Sequence, residues 1–161
     1  MIRALLLGCL LLLGACASRA PLPEHTPSLP LPLQLHVQRQ LQDQSQDWLL
    51  VVQAEGQALR WSLMDPLGIP LARQRLVAGQ WQADGLLPPN PQARELFAAL
   101  LFALTPGEQL SDSYPNAHQQ DNQRRLEPRW QVDYRQALDF TLELTDGPRY
   151  HITALSAEAT P

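Results

Sequence analysis

The sequence predicts an α+β fold in which an antiparallel meander of strands is followed by one apolar helix and a C-terminal hairpin. Apolar and polar residues alternate along residues 31–37, 59–63 and 138–144, which is the two-residue period of half-buried strands. Residues 93–104 instead repeat apolar side chains at spacings of three and four, as a helix does. Turn sequences such as Asp-Pro-Leu-Gly at 65–68 separate the strands.

The first fifteen residues have the composition of a secretory signal peptide. Arg3 is followed by a largely apolar run over residues 4–15 that contains no acidic residue. This run is shorter than the roughly 20 residues that a membrane-spanning helix needs. We therefore expect residues 1–15 to be a cleaved signal and not a transmembrane anchor.

Cys16 is the expected lipidation site. The sequence Leu-Gly-Ala-Cys at 13–16 resembles the lipobox of bacterial lipoproteins, whose cysteine carries a diacylglycerol. Cys9 is a second candidate, but it leaves an apolar run that is too short for a signal peptide. The remaining alternative is an ordinary signal peptide with an incidental cysteine. Ala17, and not aspartate, follows Cys16, which implies a lipid anchor on the periplasmic face of the outer membrane.

Residues 16–32 are predicted to be a proline-rich tether behind the lipidated cysteine. Five prolines between positions 21 and 32 disfavour helix and sheet and favour an extended polyproline conformation. At about 3.1 Å per residue, such a tether reaches roughly 50 Å. The folded domain is assigned to residues 33–155 and a fraying tail to residues 156–161. No cysteine follows Cys16, so the domain is expected to depend on its core and not on a disulfide.

The strands and the helix of this domain follow from local patterns. Asn90 can cap the helix and Pro91 suits its first position. Because this helix is apolar nearly all round, it must be covered on most sides. Residues 111–128 are polar and aperiodic, which indicates a long loop with at most a short strand near Arg124. The predicted strands cover residues 31–37, 48–54, 59–63, 69–77, a segment around Trp81, 130–134, 138–144 and 150–154.

Composition argues against several classes of function. The formal net charge is −4 and no block of basic residues is present, which argues against a nucleic-acid partner. The sequence contains no nucleophile elbow, zinc-protease motif or phosphate-binding loop. Its four histidines are scattered over predicted tether, strand and loop, so we expect no metal site, no cofactor and no enzymatic activity.

Three segments of the chain resemble the lipoprotein carriers LolA and LolB, and LolB in particular. Residues 63–68, Leu-Met-Asp-Pro-Leu-Gly, resemble the segment that ends a LolB strand in an Asn-Pro-Leu-Gly turn. Residues 143–147 resemble the last LolB hairpin, and residues 93–97 fall where LolB has the helix after its meander. The chain is similar, more closely still, to an uncharacterised lipoprotein family of aryl-polyene gene clusters. The resemblance implies a curved antiparallel half-barrel with one main apolar helix on its concave side, and a hydrophobic or acylated ligand.

Two kinds of candidate site residue follow from this resemblance. Leu67, at the tip of the Pro-Leu-Gly turn, matches the LolB leucine that projects outward and delivers cargo to the membrane; its alternative is an ordinary exposed turn residue. Apolar strand and helix residues are expected to line a cavity for an acyl chain, with ordinary core packing as the alternative. These cavity candidates are Trp48, Leu50, Trp61, Leu63, Leu96, Phe97, Leu100, Leu101, Phe140 and Leu142.

The sequence thus predicts a non-enzymatic, membrane-anchored periplasmic lipoprotein that binds a hydrophobic or acylated ligand. The resemblance implies a LolA-like carrier or an exporter as the protein partner. The alternative is an adaptor that docks an envelope or exporter complex through a sheet edge or a polar loop. A continuous cavity under the helix would favour the carrier, and a solid core would favour the adaptor.

Overall fold

The computed structural model describes residues 19–155, and these form one ten-stranded antiparallel sheet with two helices. Strands β1–β5 precede helix α1 (Pro91–Leu104); a 3-10 turn (Gly107–Gln109), helix α2 (Leu110–Ser113) and strands β6–β10 follow it. The strand bounds are β1 Leu33–Leu41, β2 Gln44–Glu55, β3 Ala58–Met64, β4 Pro70–Val77, β5 Gln80–Ala83, β6 His118–Gln120, β7 Gln123–Leu126, β8 Trp130–Gln136, β9 Asp139–Leu144 and β10 Arg149–Ala154. The α+β class and the antiparallel sheet are therefore confirmed.

The sheet consists of two five-stranded meanders joined at one seam. Its strand order is β5-β4-β3-β2-β1-β10-β9-β8-β7-β6, so all neighbours except β1 and β10 are consecutive in the chain. At the seam, Val37 pairs with Ile152, and both are fully buried. Helix α1 is the connection that carries the chain from one meander to the other.

The sheet bends around α1. Phe97 packs on Trp81 of β5, with 5.9 Å between the ring centroids, while Arg124 of β7 bonds to the carbonyl oxygen of Phe102 at 2.8 Å. Strands β5 and β7 are eight intervals apart in the sheet, or about 38 Å if it were flat. Because α1 is only about 21 Å long, the sheet must curve to reach it from both sides. Within residues 19–155, edge strands β5 and β6 do not pair, so the sheet is open.

Helix α1 forms for the local reasons that the sequence indicates. Oδ1 of Asn90 accepts a hydrogen bond from the backbone N–H of Ala93 at 3.0 Å, and Pro91 occupies the first turn. Nine of its fourteen residues are buried, in keeping with its apolar surface. The inward side chains of β1–β4 and β7–β10 complete one hydrophobic core with them.

The prediction of a long loop over residues 111–128 was wrong, although the short strand near Arg124 that it allowed is present as β7. This region contains α2, β6 and β7, and it is organised by Arg124, which is only 4% exposed. Nη1 of Arg124 donates to the carbonyl oxygens of Phe102 and Thr105, both at 2.8 Å, near the C-terminal end of α1. The carbonyl oxygens at this end of α1 carry the negative end of the helix dipole, and that of Phe102 also accepts a long hydrogen bond from the N–H of Thr105 at 3.4 Å. They compensate the buried cation without a carboxylate.

The proline-rich segment before β1 lies against the domain over part of its length. Pro23 and Pro27 are buried, and Leu22 packs against the core. The N–H of Glu24 donates to the carbonyl oxygen of Ser113 at 2.9 Å, so this segment is held on α2.

Candidate functional site

Most of the predicted cavity residues are close-packed core. Nine of the ten are buried in one cluster, with Trp48 packed against it. Trp61 and Phe97 lie 5.5 Å apart between ring centroids, and both also contact Trp81 at 5.9 Å. The structure brings the predicted residues together: those of the strands pack against those of α1. The buried members are Leu50, Trp61, Leu63, Leu96, Phe97, Leu100, Leu101, Phe140 and Leu142.

Three of the predicted residues do line an opening. Trp48, Leu63 and Leu96 border a pocket of about 170 Å³ beside the N-terminal turn of α1, which we call the inner pocket. Tyr150 of β10 closes its other side, and its ring lies 6.3 Å from that of Trp48. Burial raises the pKa of Tyr150, so its hydroxyl is neutral at physiological pH. The inner pocket is thus largely apolar but holds little more than a few methylene groups.

A larger pocket of about 650 Å³ adjoins the inner pocket on the other side of Tyr150, and we call it the mouth pocket. This volume lies within the range of about 300–1,000 Å³ that is typical of small-molecule sites. Leu41, Leu144 and Tyr150 supply apolar walls. The charged residues of the lining are Arg39, Glu95, Arg129 and Asp146. The site can therefore accommodate a molecule with an apolar part and a polar group.

Glu95 and Arg129 form a bidentate ion pair at the mouth pocket. Nε and Nη2 of Arg129 donate to the two carboxylate oxygens of Glu95 at 2.8 and 2.7 Å, and Nε1 of Trp130 donates to Oε1 at 2.7 Å. Burial by itself raises the pKa of Glu95. The hydrogen bonds from Arg129 and Trp130 and the charge of Arg129 outweigh burial, so the pKa of Glu95 lies below its ordinary value. Glu95 is therefore a carboxylate at physiological pH.

Leu67 lies at the tip of the turn between β3 and β4 and is 85% exposed. Oδ1 of Asp65 accepts hydrogen bonds from the N–H groups of Leu67 and Ile69 at 2.9 and 2.8 Å, which holds the turn independently of the leucine side chain. Gly68 has a φ of +82°, a conformation that glycine adopts without strain. The turn is therefore a rigid support that presents an apolar side chain to its surroundings.

Exposed apolar side chains gather at the end of the sheet that carries this turn. The register places the β1–β2, β3–β4 and β9–β10 turns at this same end, together with the N-terminus of α1. Four exposed apolar residues lie here, which we call the apolar rim: Leu41, Leu67, Ile69 and Leu71. Leu71 also lines the inner pocket, and Leu41 lines the mouth pocket. Two members of the rim thus border the pockets, whereas Leu67 and Ile69 line neither of them.

A third pocket, of about 780 Å³, lies where the N-terminal segment crosses α1 and β5, and we call it the N-terminal pocket. Arg19, Ala20 and Leu22 of that segment form one wall, with Trp81 and Arg94 among the residues opposite. The Glu95–Arg129 pair borders it as well as the mouth pocket. It is more polar in composition than the other two pockets.

Two of the four histidines form side-chain pairs with carboxylates at the sheet surface. Nε2 of His36 lies 2.8 Å from Oδ1 of Asp47, and Nε2 of His151 lies 3.0 Å from Oδ1 of Asp139. Among the side chains that the structure describes, no three His, Cys, Asp or Glu residues are grouped so as to hold a metal ion.

Cys16 lies outside the described residues, so its lipidation stays a prediction. Between residues 19 and 155, no helix is both long and apolar enough to cross a bilayer. Comparison of the chain with protein-family models and with curated proteins finds no match. The features of the described residues that bear on function are therefore the pockets and the apolar rim.

Proposed function

We propose that this chain is a LolB-like half-barrel lipoprotein, anchored by acyl chains on Cys16 to the periplasmic face of the outer membrane, which binds a hydrophobic or acylated ligand without catalysis. The observation that supports this function is the mouth pocket at the end of the sheet that carries the apolar rim, with Leu41 belonging to both. A ligand-sized opening with leucine and tyrosine walls, next to exposed apolar side chains, suits a molecule that leaves or enters a lipid phase. In this proposal α1 is the helix on the concave side.

The proposed ligand lies at the mouth and does not displace the core. Phe97, Leu100 and Phe140 are fully buried, and removing such residues from contact with one another is costly. An acyl chain can instead lie along Leu41, Leu144 and Tyr150, with its head near the Glu95–Arg129 pair. Trp48, Leu63 and Leu96 then form the inner wall that the end of the chain reaches. A LolA-like carrier or an exporter would deliver or remove this ligand.

The adaptor alternative is favoured by one observation, the solid core beneath most of α1. Leu100, Leu101 and Phe102 are fully buried, and their neighbours are protein side chains. If the mouth pocket binds nothing, the apolar rim would instead be a surface for a protein of the envelope. The two functions differ in whether a lipid-like molecule competes for the mouth pocket.

Fluorescent fatty-acid binding to the mature chain with Cys16→Ser tests the proposal. Leu41→Asp places a charge on the apolar wall of the mouth pocket, and we expect the affinity to fall about tenfold or more, since about 1.4 kcal/mol of lost apolar contact corresponds to tenfold. Leu86→Asp is the matched control, because Leu86 is an exposed leucine that is not among the residues lining this pocket. Equal affinities for the two variants, or no binding by any form, would favour the adaptor.

A further inference from the structure

The N-terminal pocket concentrates positive charge in an acidic protein. The whole chain has a net charge of −4, yet this pocket is bordered by Arg19, Arg94 and Arg129 and by a single acid, Glu95. The bidentate pair neutralises Glu95 with Arg129. Two arginines remain without an ion-pair partner among residues 19–155, and their like charges face the same cavity.

The two remaining arginines have N–H groups that lack hydrogen-bond acceptors among the described residues. Arg94 uses only Nε, which donates to Oε1 of Gln74 at 3.2 Å, so within the described chain its two terminal nitrogens have no acceptor. Arg19 makes no hydrogen bond or ion pair to the described residues. The buried Nε1–H of Trp81, which also borders the pocket, likewise lacks an acceptor among them. A guanidinium fork suits the oxygens of a phosphate, and an anion here would relieve the repulsion between the two cations.

We propose that the N-terminal pocket binds a phosphate group, held mainly by Arg19 and Arg94. The volume of about 780 Å³ admits a phosphate together with the glycerol and first methylenes of a lipid, which would contact Leu22 and Trp81. The phosphate site follows from the pocket alone. Its supply by a membrane lipid rests on the proposed anchoring at Cys16, since three residues of extended chain span at most about 11 Å and would hold Arg19 at the level of the headgroups.

Two binding measurements on the mature chain with Cys16→Ser test this site. Co-sedimentation with phosphatidylcholine vesicles that contain phosphatidylglycerol reports the lipid headgroup, and calorimetric titration with inorganic phosphate reports the free anion. We expect Arg19→Gln and Arg94→Gln each to lower the vesicle-bound fraction at least about fivefold, as the loss of one charge-assisted contact implies. The matched control is Arg125→Gln, which makes the same charge change at an exposed position on β7 outside the pocket.

The outcomes separate the sources of the phosphate and the two proposals. Vesicle binding that depends on both pocket arginines identifies the lipid headgroup, whereas phosphate binding with the same dependence but no vesicle binding identifies a soluble phosphate compound. Equal effects of the pocket and control variants, or no binding to either probe, would overturn the site. Arg19→Gln removes no contact within the described residues, so a folding defect in Arg94→Gln leaves the test intact. Fatty-acid binding at the mouth pocket should persist in both variants, so its failure would bear on the proposed function alone.

Discussion

Glu95 illustrates at the scale of single residues how far the sequence leads to the candidate site. It is the lone acid in the helix sequence of residues 91–104, and a carboxylate on a helix that is apolar nearly all round requires a partner. That signal could have marked Glu95 as a site residue. Its partner Arg129 could not be chosen among the 12 basic residues, because the two meet only after the second meander has folded back over α1. Neither of these two residues was predicted to belong to a site, and neither was Tyr150.

The Glu95–Arg129 pair should make the free energy of unfolding depend on pH. Because the pKa of Glu95 is held below its ordinary value in the folded state, the unfolded chain takes up the proton first as the pH falls. The pair therefore stabilises the protein above about pH 4.5, and this contribution is lost as the pH falls through the folded pKa. Glu95→Gln should cost about 1.5–3 kcal/mol near neutral pH, the range for a hydrogen bond to a charged group.

Urea unfolding between about pH 7 and about pH 3 checks this, since stability follows the difference in bound protons. The difference in free energy of unfolding between wild type and Glu95→Gln should narrow steadily toward the acid end. Glu143→Gln is the control, because it removes a carboxylate that pairs with Arg149 at the exposed sheet surface. A difference that stays constant with pH would show that folding does not shift the pKa of Glu95.

At the scale of elements, the sequence predicts the strands in which buried and exposed residues alternate. It misses strands, or parts of strands, that are exposed on both faces. Strands β3, β8 and β9 lie close to their predicted positions because one face of each meets the core. Strand β2 begins at Gln44, earlier than predicted, because its first four residues are exposed and pair with β1 beyond the core. Because these residues are polar on both faces, no alternation of apolar and polar residues marks them as a strand. Strand β6 is exposed along its whole length and was missed for the same reason.

Helix α1 provides the element whose packing can be tested most directly. Leu100 is fully buried between α1 and the sheet, so Leu100→Ala should lower the free energy of unfolding by about 2–5 kcal/mol through lost contacts and the cavity left behind. Leu86→Ala deletes the same atoms from a fully exposed leucine and should change it by no more than about 0.5 kcal/mol. Chemical denaturation measures both. A small loss in Leu100→Ala together with tighter fatty-acid binding would mean that an acyl chain enters beneath α1.

The arrangement of the whole molecule depends on contacts that local patterns do not encode. Alternation predicts that β1 and β10 each have a buried face, but it cannot indicate that they pair with each other across more than a hundred residues. That seam turns two meanders into one sheet curved around α1 and brings the β1–β2 and β9–β10 turns together. The mouth pocket between Leu41 of β1 and Leu144 of β9 exists only because of it. The site is therefore a product of topology, whereas Leu67 could be named from its turn alone.

A substitution at Leu67 tests whether this end of the sheet contacts a membrane. The turn is held by Asp65 and Gly68, so Leu67→Asp should leave the melting temperature nearly unchanged, with an effect on unfolding of no more than about 0.5 kcal/mol. Burying the leucine in a bilayer interface is worth about 1.5–3 kcal/mol, which corresponds to roughly a ten- to hundredfold change in partitioning. We therefore expect Leu67→Asp to reduce membrane association strongly and to spare fatty-acid binding at the mouth pocket.

Neutral phosphatidylcholine vesicles are the appropriate probe for Leu67, because they separate apolar insertion from attraction to anionic headgroups. The mature chain with Cys16→Ser is co-sedimented with them, alone and with Leu67→Asp, and Leu86→Asp serves as the control for an added charge at an exposed leucine. Loss of sedimentation in Leu67→Asp but not in Leu86→Asp would locate membrane contact at the apolar rim, next to the mouth pocket. If all three proteins sediment equally, Leu67 is an ordinary turn residue, and the rim is better explained as a surface for a protein partner.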